Sequence, residues 1–169
     1  MNAEALRVIQ APLKERYKNE PAAAHVTLSA HGQLGEQLSC KVDTGRALVE
    51  AGLHRATGGD GSLACSGDML LEALAACAGV TLRAVATAIG APVRGGTVTA
   101  EGDLDVRGTL GVSKDAPVGF AAIRLHFELD TDATPDQLAT LERLTERYCV
   151  VLQTLRAAPT VSLSCDVRR

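Results

Sequence analysis

Five cysteines are the residues of this sequence most able to do chemistry, and two of them, Cys77 and Cys149, fall in stretches that read as helices. Two buried helices can pack closely enough for their thiols to meet. In such a pair one thiolate cleaves a peroxide O–O bond and becomes a sulfenic acid, and the second thiol condenses with it to a disulfide. The other three cysteines carry no such pattern. Cys40 and Cys165 sit on the apolar side of alternating stretches, and Cys65 lies in a glycine-rich loop with no CxxC partner and no histidine at ligand spacing, so a metal is not expected. A buried cysteine is ordinarily a small inert hydrophobe. Chemistry at Cys77 therefore calls for a cation brought to it from elsewhere in the fold.

The element that must position Cys77 is the apolar run SGDMLLEALAACAGVTLRAVATAI, from Ser66 to Ile89. Glu72, Thr81, Arg83 and Thr87 interrupt it, and a Glu and an Arg near the midplane of a bilayer would each oppose insertion by roughly 3 kcal/mol, so a central buried helix is expected and not a membrane span. Ser66 reads as the N-cap, with Asp68 in the first turn, where the helix dipole favours a carboxylate. At 100° per residue the neighbours of Cys77 are Leu70, Ala73, Leu74, Val80, Thr81 and Ala84, an apolar face. The thiol stands about 14 Å from the helix start, beyond the reach of the dipole, and apolar surroundings raise its pKa. A helix apolar on nearly every side needs more cover than one sheet and one further helix provide, and a second copy of the chain would supply it.

Cys149 belongs to a second helix. Thr134, Pro135 and Gln137 form a capping box with proline at the first helical position, opening a helix expected to run to about Arg156 with Leu138, Leu141, Leu144, Tyr148, Leu152 and Leu155 as its stripe. Around these helices the pattern is of strands. HVTLSAH (25–31) alternates, placing Val26, Leu28 and Ala30 opposite His25 and His31, and EQLSCKVD (36–43) alternates again. TVTAEGDLDV (97–106) sets Val98, Leu104 and Val106 inward and Glu101, Asp103 and Asp105 outward. AAIRLHFELD (121–130) is the cleanest alternation, leaving His126 solvated, and VSLSCDV (161–167) reads as a final strand. Residues 46–55 are ambiguous, and residues 3–20 have helical spacing that Pro12 is expected to break into a short helix or arm. The order predicts an α+β fold, a mostly antiparallel sheet over two helices, in a single domain over residues 1–169 with an N-terminal arm or helix over 1–22.

Composition narrows the partners. A net charge of −3 and only four aromatic residues, with no Trp, argue against a nucleic-acid surface. The charged N-terminus does not read as a secretory signal, and an odd number of cysteines without one reads as reduced, cytoplasmic thiols. The loop ATGGDGSLACSGD lacks the Lys-Ser/Thr ending of a phosphate-binding turn, and its glycines suit an active-site rim.

GDMLLEALAACAG, with a cysteine inside a Leu/Ala-rich helix, and ERYCVVLQTL some seventy residues later resemble the two motifs of the OsmC/Ohr family of thiol peroxidases, and the order of strands is similar over most of residues 20–167. The resemblance implies an intertwined homodimer that buries the cysteine helices, reduction of organic hydroperoxides with Cys77 as peroxidatic and Cys149 as resolving cysteine, and a lipoyl or small-dithiol reductant, with no bound cofactor. It also implies an activating arginine and glutamate. By order and spacing Arg55 is the candidate arginine, ahead of Arg16. The glutamate position ten residues before the cysteine holds Gly67, and Asp68 is the nearest acid. Val150 follows Cys149 where peroxidases of the family often have proline. These departures keep open an alternative, a non-peroxidase member that binds a small apolar or thiol-reactive ligand in the dimer pocket.

Overall fold

The computed structural model describes residues 3–34, 40–42, 51–165 and 167. Strands β1 (His25–Leu34), β2 (Cys40–Val42), β5 (Val93–Asp105) and β6 (Phe120–Thr131) form one sheet in the order β2-β1-β5-β6, each pair antiparallel. A two-residue parallel pair, β3 (Ala51–Gly52) with β4 (Ala64–Cys65), leads into helix α2 (Ser66–Ile89). Helix α1 (Ala3–Asn19), the short α3 (Val106–Thr109), α4 (Pro135–Tyr148) and α5 (Val150–Arg156) complete the chain. This is the α+β architecture expected from the alternating and helical periods. The facing of Leu28, Ala30, His31 and Cys40, and the segments 35–39 and 43–50, lie outside the described residues.

The core forms where α2 lies across the sheet. Leu71, Leu74, Ala75 and Ala78 recur at helical spacing and pack with Val98 and Ala100 of β5 and with Cys149. Full burial of a leucine side chain contributes roughly 1.5–3 kcal/mol. A second cluster joins the C-terminal half of α2 to α4 through Leu82, Val85, Ala86 and Leu141. Gly90, with φ 67°, ends α2 in the left-handed conformation that glycine adopts without strain. α2 is long and apolar enough to cross a membrane, yet its buried side chains are core residues of this sheet-and-helix pack.

Four expectations are corrected. α1 continues through Pro12 from Ala3 to Asn19, so the expected break does not form; a proline inside a helix costs one backbone hydrogen bond and strains the preceding turn without having to end it. Cys65 occupies the N-cap of α2, with no side-chain cap bond, in place of Ser66. Asp105, the last residue of β5, is buried and not outward, because it is the N-cap of α3: its carboxylate accepts from the Arg107 amide and pairs with the Arg107 guanidinium at 2.5 Å. The final strand does not form: residues 159–165 have no regular structure, and Leu163 is 99% exposed. Their alternation is real, but a strand requires an adjacent edge to bond to.

Candidate active site

Cys77 sits on the boundary of two faces of α2. On one side are the buried Leu74 and Ala78, and on the other a stripe that the chain leaves uncovered, with Leu70 and Val80 each 38% exposed and Ala73 exposed between them. Its thiol is half-buried, neither sealed in the core nor free in solvent.

The expected single helix from Pro135 to Arg156 is two. The capping box at its start forms as read, Gln137 N–H donating to Thr134 Oγ1 at 3.3 Å and Thr134 N–H to Gln137 Oε1 at 3.0 Å. At Cys149, however, the backbone turns extended (φ −71°, ψ 107°), closing α4 and opening α5. Val150 and Val151 follow, a β-branched pair that weakens helical continuity. The bend is clasped from outside: Gln153 Nε2 donates to the Glu146 carbonyl at 2.7 Å, and Arg156 pairs with the Glu146 carboxylate. It leaves the first amides of α5 without helical acceptors, since the first bond within α5 is Gln153 N–H to the Cys149 carbonyl at 2.9 Å.

Two sulfurs take up those amides. Cys149, fully buried, packs in the same cluster as Cys77, and each thiol shifts the ionisation of the other. Burial works to raise the Cys77 thiol, but hydrogen bonds from the Val151 amide, the Cys149 thiol, the Val150 amide and the Thr81 hydroxyl together hold it below the ordinary thiol range. Burial dominates at Cys149, and with the charge and hydrogen bond of Cys77 it pushes that thiol up to about 11, against the opposing amides of Leu152 and Val151. The pair is thus polarised: Cys77 is the sulfur that ionises, and Cys149 keeps its proton.

Residues 59–164, more than half the chain, match the sequence pattern of the family described as OsmC-like protein. This chain belongs to that family. The fold agrees with the crystal structure of an OsmC-like hydroperoxide resistance protein from Jannaschia sp. CCS1, at 19% identity and a TM-score of 0.63, over 85% of this chain and 95% of that one. No curated protein matches in sequence.

In this OsmC-like chain the groups bonded to Cys77 come from Thr81, Cys149 and the start of α5, and neither Arg55 nor Asp68 is among them. Arg55 is exposed in a 3-10 turn (Arg55–Thr57), its guanidinium lying over Gly61, where any Cβ would collide with it. Asp68 faces His54. Burial raises its carboxyl, with the nearby histidine opposing, and nine residues of helix put it about 14 Å along the axis from Cys77. Arg16 forms an exposed pair with Glu20 at 3.7 Å. Cys65 caps the far end of α2, about 18 Å along the axis from Cys77.

Sequence reasoning missed the α5 amides, for which the β-branched pair directly after Cys149 was the signal. A cavity of about 700 Å³ opens between β6, α4 and α5, lined by Phe127, Leu152 and Leu155 and by the polar His126, Glu146 and Arg156; neither Cys77 nor Cys149 lines it. The Thr145 hydroxyl, buried in its wall, has no hydrogen-bond partner.

Proposed function

We propose that this OsmC-like protein is a dithiol peroxidase that reduces organic hydroperoxides. The observation that carries the reading is the polarised pair, a half-buried Cys77 with a lowered thiol in contact with a buried Cys149 whose thiol is raised. The Cys77 thiolate attacks the terminal oxygen of ROOH. An S–O bond forms, the O–O bond breaks, and the departing alkoxide takes a proton to leave as the alcohol. The Cys149 thiol then attacks the sulfenic acid, a disulfide forms and water departs. A dithiol reductant of lipoyl or similar slender type returns the pair to thiols by exchange. The apolar surroundings of Cys77 favour an alkyl or aryl hydroperoxide over hydrogen peroxide.

The working unit in this reading is a homodimer. The uncovered stripe of α2, together with Tyr148, Val150 and the alternating Val161 and Leu163, leaves apolar surface exposed that a second copy would bury. The compartment is the cytoplasm, where such thiols stay reduced.

A second reading is favoured by the same site. Among the described residues no cation is bonded to Cys77, Gly67 stands at the family's glutamate position, and the cavity wall holds an unpartnered hydroxyl. In this reading the chain binds a small apolar or thiol-reactive ligand and does not turn over peroxide.

Titration of the reduced protein with cumene hydroperoxide separates the two. A peroxidase loses two thiols per chain at stoichiometric peroxide; Cys77→Ser abolishes the loss, and Cys149→Ser diverts Cys77 to overoxidation. The rate of the first step rises with pH as Cys77 ionises and levels off below the ordinary thiol pKa of about 8.5. Slow loss that is indifferent to which cysteine is removed selects the ligand-binding reading.

A further inference from the structure

We propose that the cavity between β6, α4 and α5 is a binding site, separate from the cysteine pair, for an uncharged and largely hydrocarbon molecule that carries a hydrogen-bond acceptor, of the ketone or ester class. The inference goes beyond the peroxide reading and does not depend on it, because neither sulfur lines this cavity.

The cavity, of about 700 Å³, has the size of a small-molecule site. Its walls are hydrocarbon: Phe127 and Leu129 from β6, Leu141 from α4, Leu152 and Leu155 from α5. Set among them is Thr145, 2% exposed, whose hydroxyl has no hydrogen-bond partner. A threonine inside a helix can return its hydroxyl to the carbonyl four residues back. Thr87 does so, donating to the Arg83 carbonyl at 2.8 Å. Thr145, inside α4, does not, and a buried donor left unspent is costly. Two side-chain rotamers are open to a threonine in a helix, so the hydroxyl can turn to an acceptor that enters the cavity. That acceptor is the polar atom the apolar walls do not provide.

The rim sets the charge of the occupant. It carries His126, Glu142, Glu146 and Arg156, and the guanidinium among them is already paired with the Glu146 carboxylate. An anion would meet Glu142 with no free guanidinium among the lining residues to balance it, and a charge buried against leucine and phenylalanine needs pairing. A neutral carbonyl oxygen needs only a donor, which Thr145 supplies.

The test uses the reduced full-length protein and no peroxide. Binding of 2-acetylnaphthalene is compared by equilibrium dialysis with that of 2-ethylnaphthalene, which lacks the oxygen, and of 2-naphthoate, which is charged. The wild type binds the ketone and the hydrocarbon and excludes the naphthoate. Thr145→Val lowers the ratio of ketone to hydrocarbon affinity about fivefold, the size of one hydrogen bond, and raises the melting temperature of the unliganded protein, since it removes the unspent donor. Thr145→Ser keeps the wild-type ratio, and Thr145→Ala repeats the deletion if valine disturbs the fold. Leu138→Trp, which adds bulk to an exposed lining residue, removes binding of both probes. Saturating ketone leaves the pH profile of Cys77 alkylation by iodoacetamide in place, whether or not Cys77 reacts with cumene hydroperoxide. Failure of the ketone to bind overturns the proposal, as does a ratio unmoved by Thr145→Val and Thr145→Ala, or binding that survives Leu138→Trp. Naphthoate bound as tightly as the ketone overturns the uncharged class, and protection of Cys77 by the ketone overturns the separate site.

Discussion

At the N-terminal end of α2 the polar groups are met within their own loop, whereas half-way along it the groups that meet Cys77 come from a different helix. In the loop, His54 Nδ1 accepts from Ala56 N–H at 3.0 Å, the Thr57 hydroxyl donates to the His54 carbonyl at 2.9 Å, and Asp60 takes the Ser62 hydroxyl at 2.6 Å. Helix α1 closes it from outside, Tyr17 donating to the Ala56 carbonyl at 2.6 Å and Gln10 to the Thr57 carbonyl at 3.3 Å. This region, which carries Arg55 and adjoins Asp68, is stabilised by short-range bonds and leaves few donors for anything else. At the α4–α5 bend the opposite holds: backbone donors are released by the break, and two sulfurs accept them. Reactivity is therefore expected where local structure leaves hydrogen bonds unspent, and mechanical support where it spends them.

The largest effect that would sharpen this contrast lies beneath the cysteines. Leu74 is fully buried, one turn before Cys77 and in the cluster that holds Cys149. Leu74→Ala is expected to cost about 3 kcal/mol, by transfer and cavity terms together. Urea unfolding measures the loss, and Cys77 alkylation should change with it, because the helix that presents the thiol loses its seat. A loss under about 1 kcal/mol would mean the core beneath the pair is slack, and the fixed geometry assumed for the two sulfurs would go with it.

A smaller effect comes from the loop. Tyr17→Phe removes one hydrogen bond from a buried ring and should cost about 1 kcal/mol, while the alkylation profile of Cys77 stays where it was. Arg55→Ala belongs to the same experiment and should leave that profile unchanged. Movement of the Cys77 midpoint in either variant would show that the loop reaches the thiol, and the division between support and reactivity would break.

What the sequence disclosed, and what it withheld, follows the same division. Cys77 and Cys149 were found because each lies on a strongly periodic stretch, and the capping box at Thr134 was legible because its chemistry is entirely local. The strands β1, β5 and β6 followed from alternation. The bend at Cys149 was hidden, since YCVVL continues the apolar stripe of α4 and a pair of valines disfavours helix by only a few tenths of a kcal/mol each. Pro12 misled in the other direction, because a proline weakens a helix locally without necessarily ending it, and α1 runs on to Asn19. The tail from Val161 to Cys165 alternates as a strand should, yet period alone does not supply an edge to pair with. Arg55 was assigned by chain order, and chain order carries no side-chain direction: its guanidinium turns to Gly61. Among the described residues the groups that lower the Cys77 thiol are hydrogen-bond donors, two of which are backbone groups that no residue type announces.

The smallest effect tests the bend itself. Val150 is 71% exposed, it is the first residue of α5, and its amide makes no helical bond but donates to Cys77. Proline is favoured at that position, where its fixed φ suits the helix start, and the extended Cys149 before it has the backbone that a residue preceding proline adopts. Val150→Pro therefore suits the backbone, and the gain of about 0.5 kcal/mol from the restricted unfolded chain is offset by the lost amide donor, so stability should change little. The same substitution deletes one donor to the Cys77 sulfur, so the thiol midpoint rises and alkylation at pH 7 slows. Thiolate character is expected to fall while stability stays near the wild type, which a loosened bend cannot produce, because loosening lowers both. A gain in melting temperature with no change at Cys77 would assign the thiolate to Val151 and Thr81 alone, and would leave Val150 a structural residue of the bend.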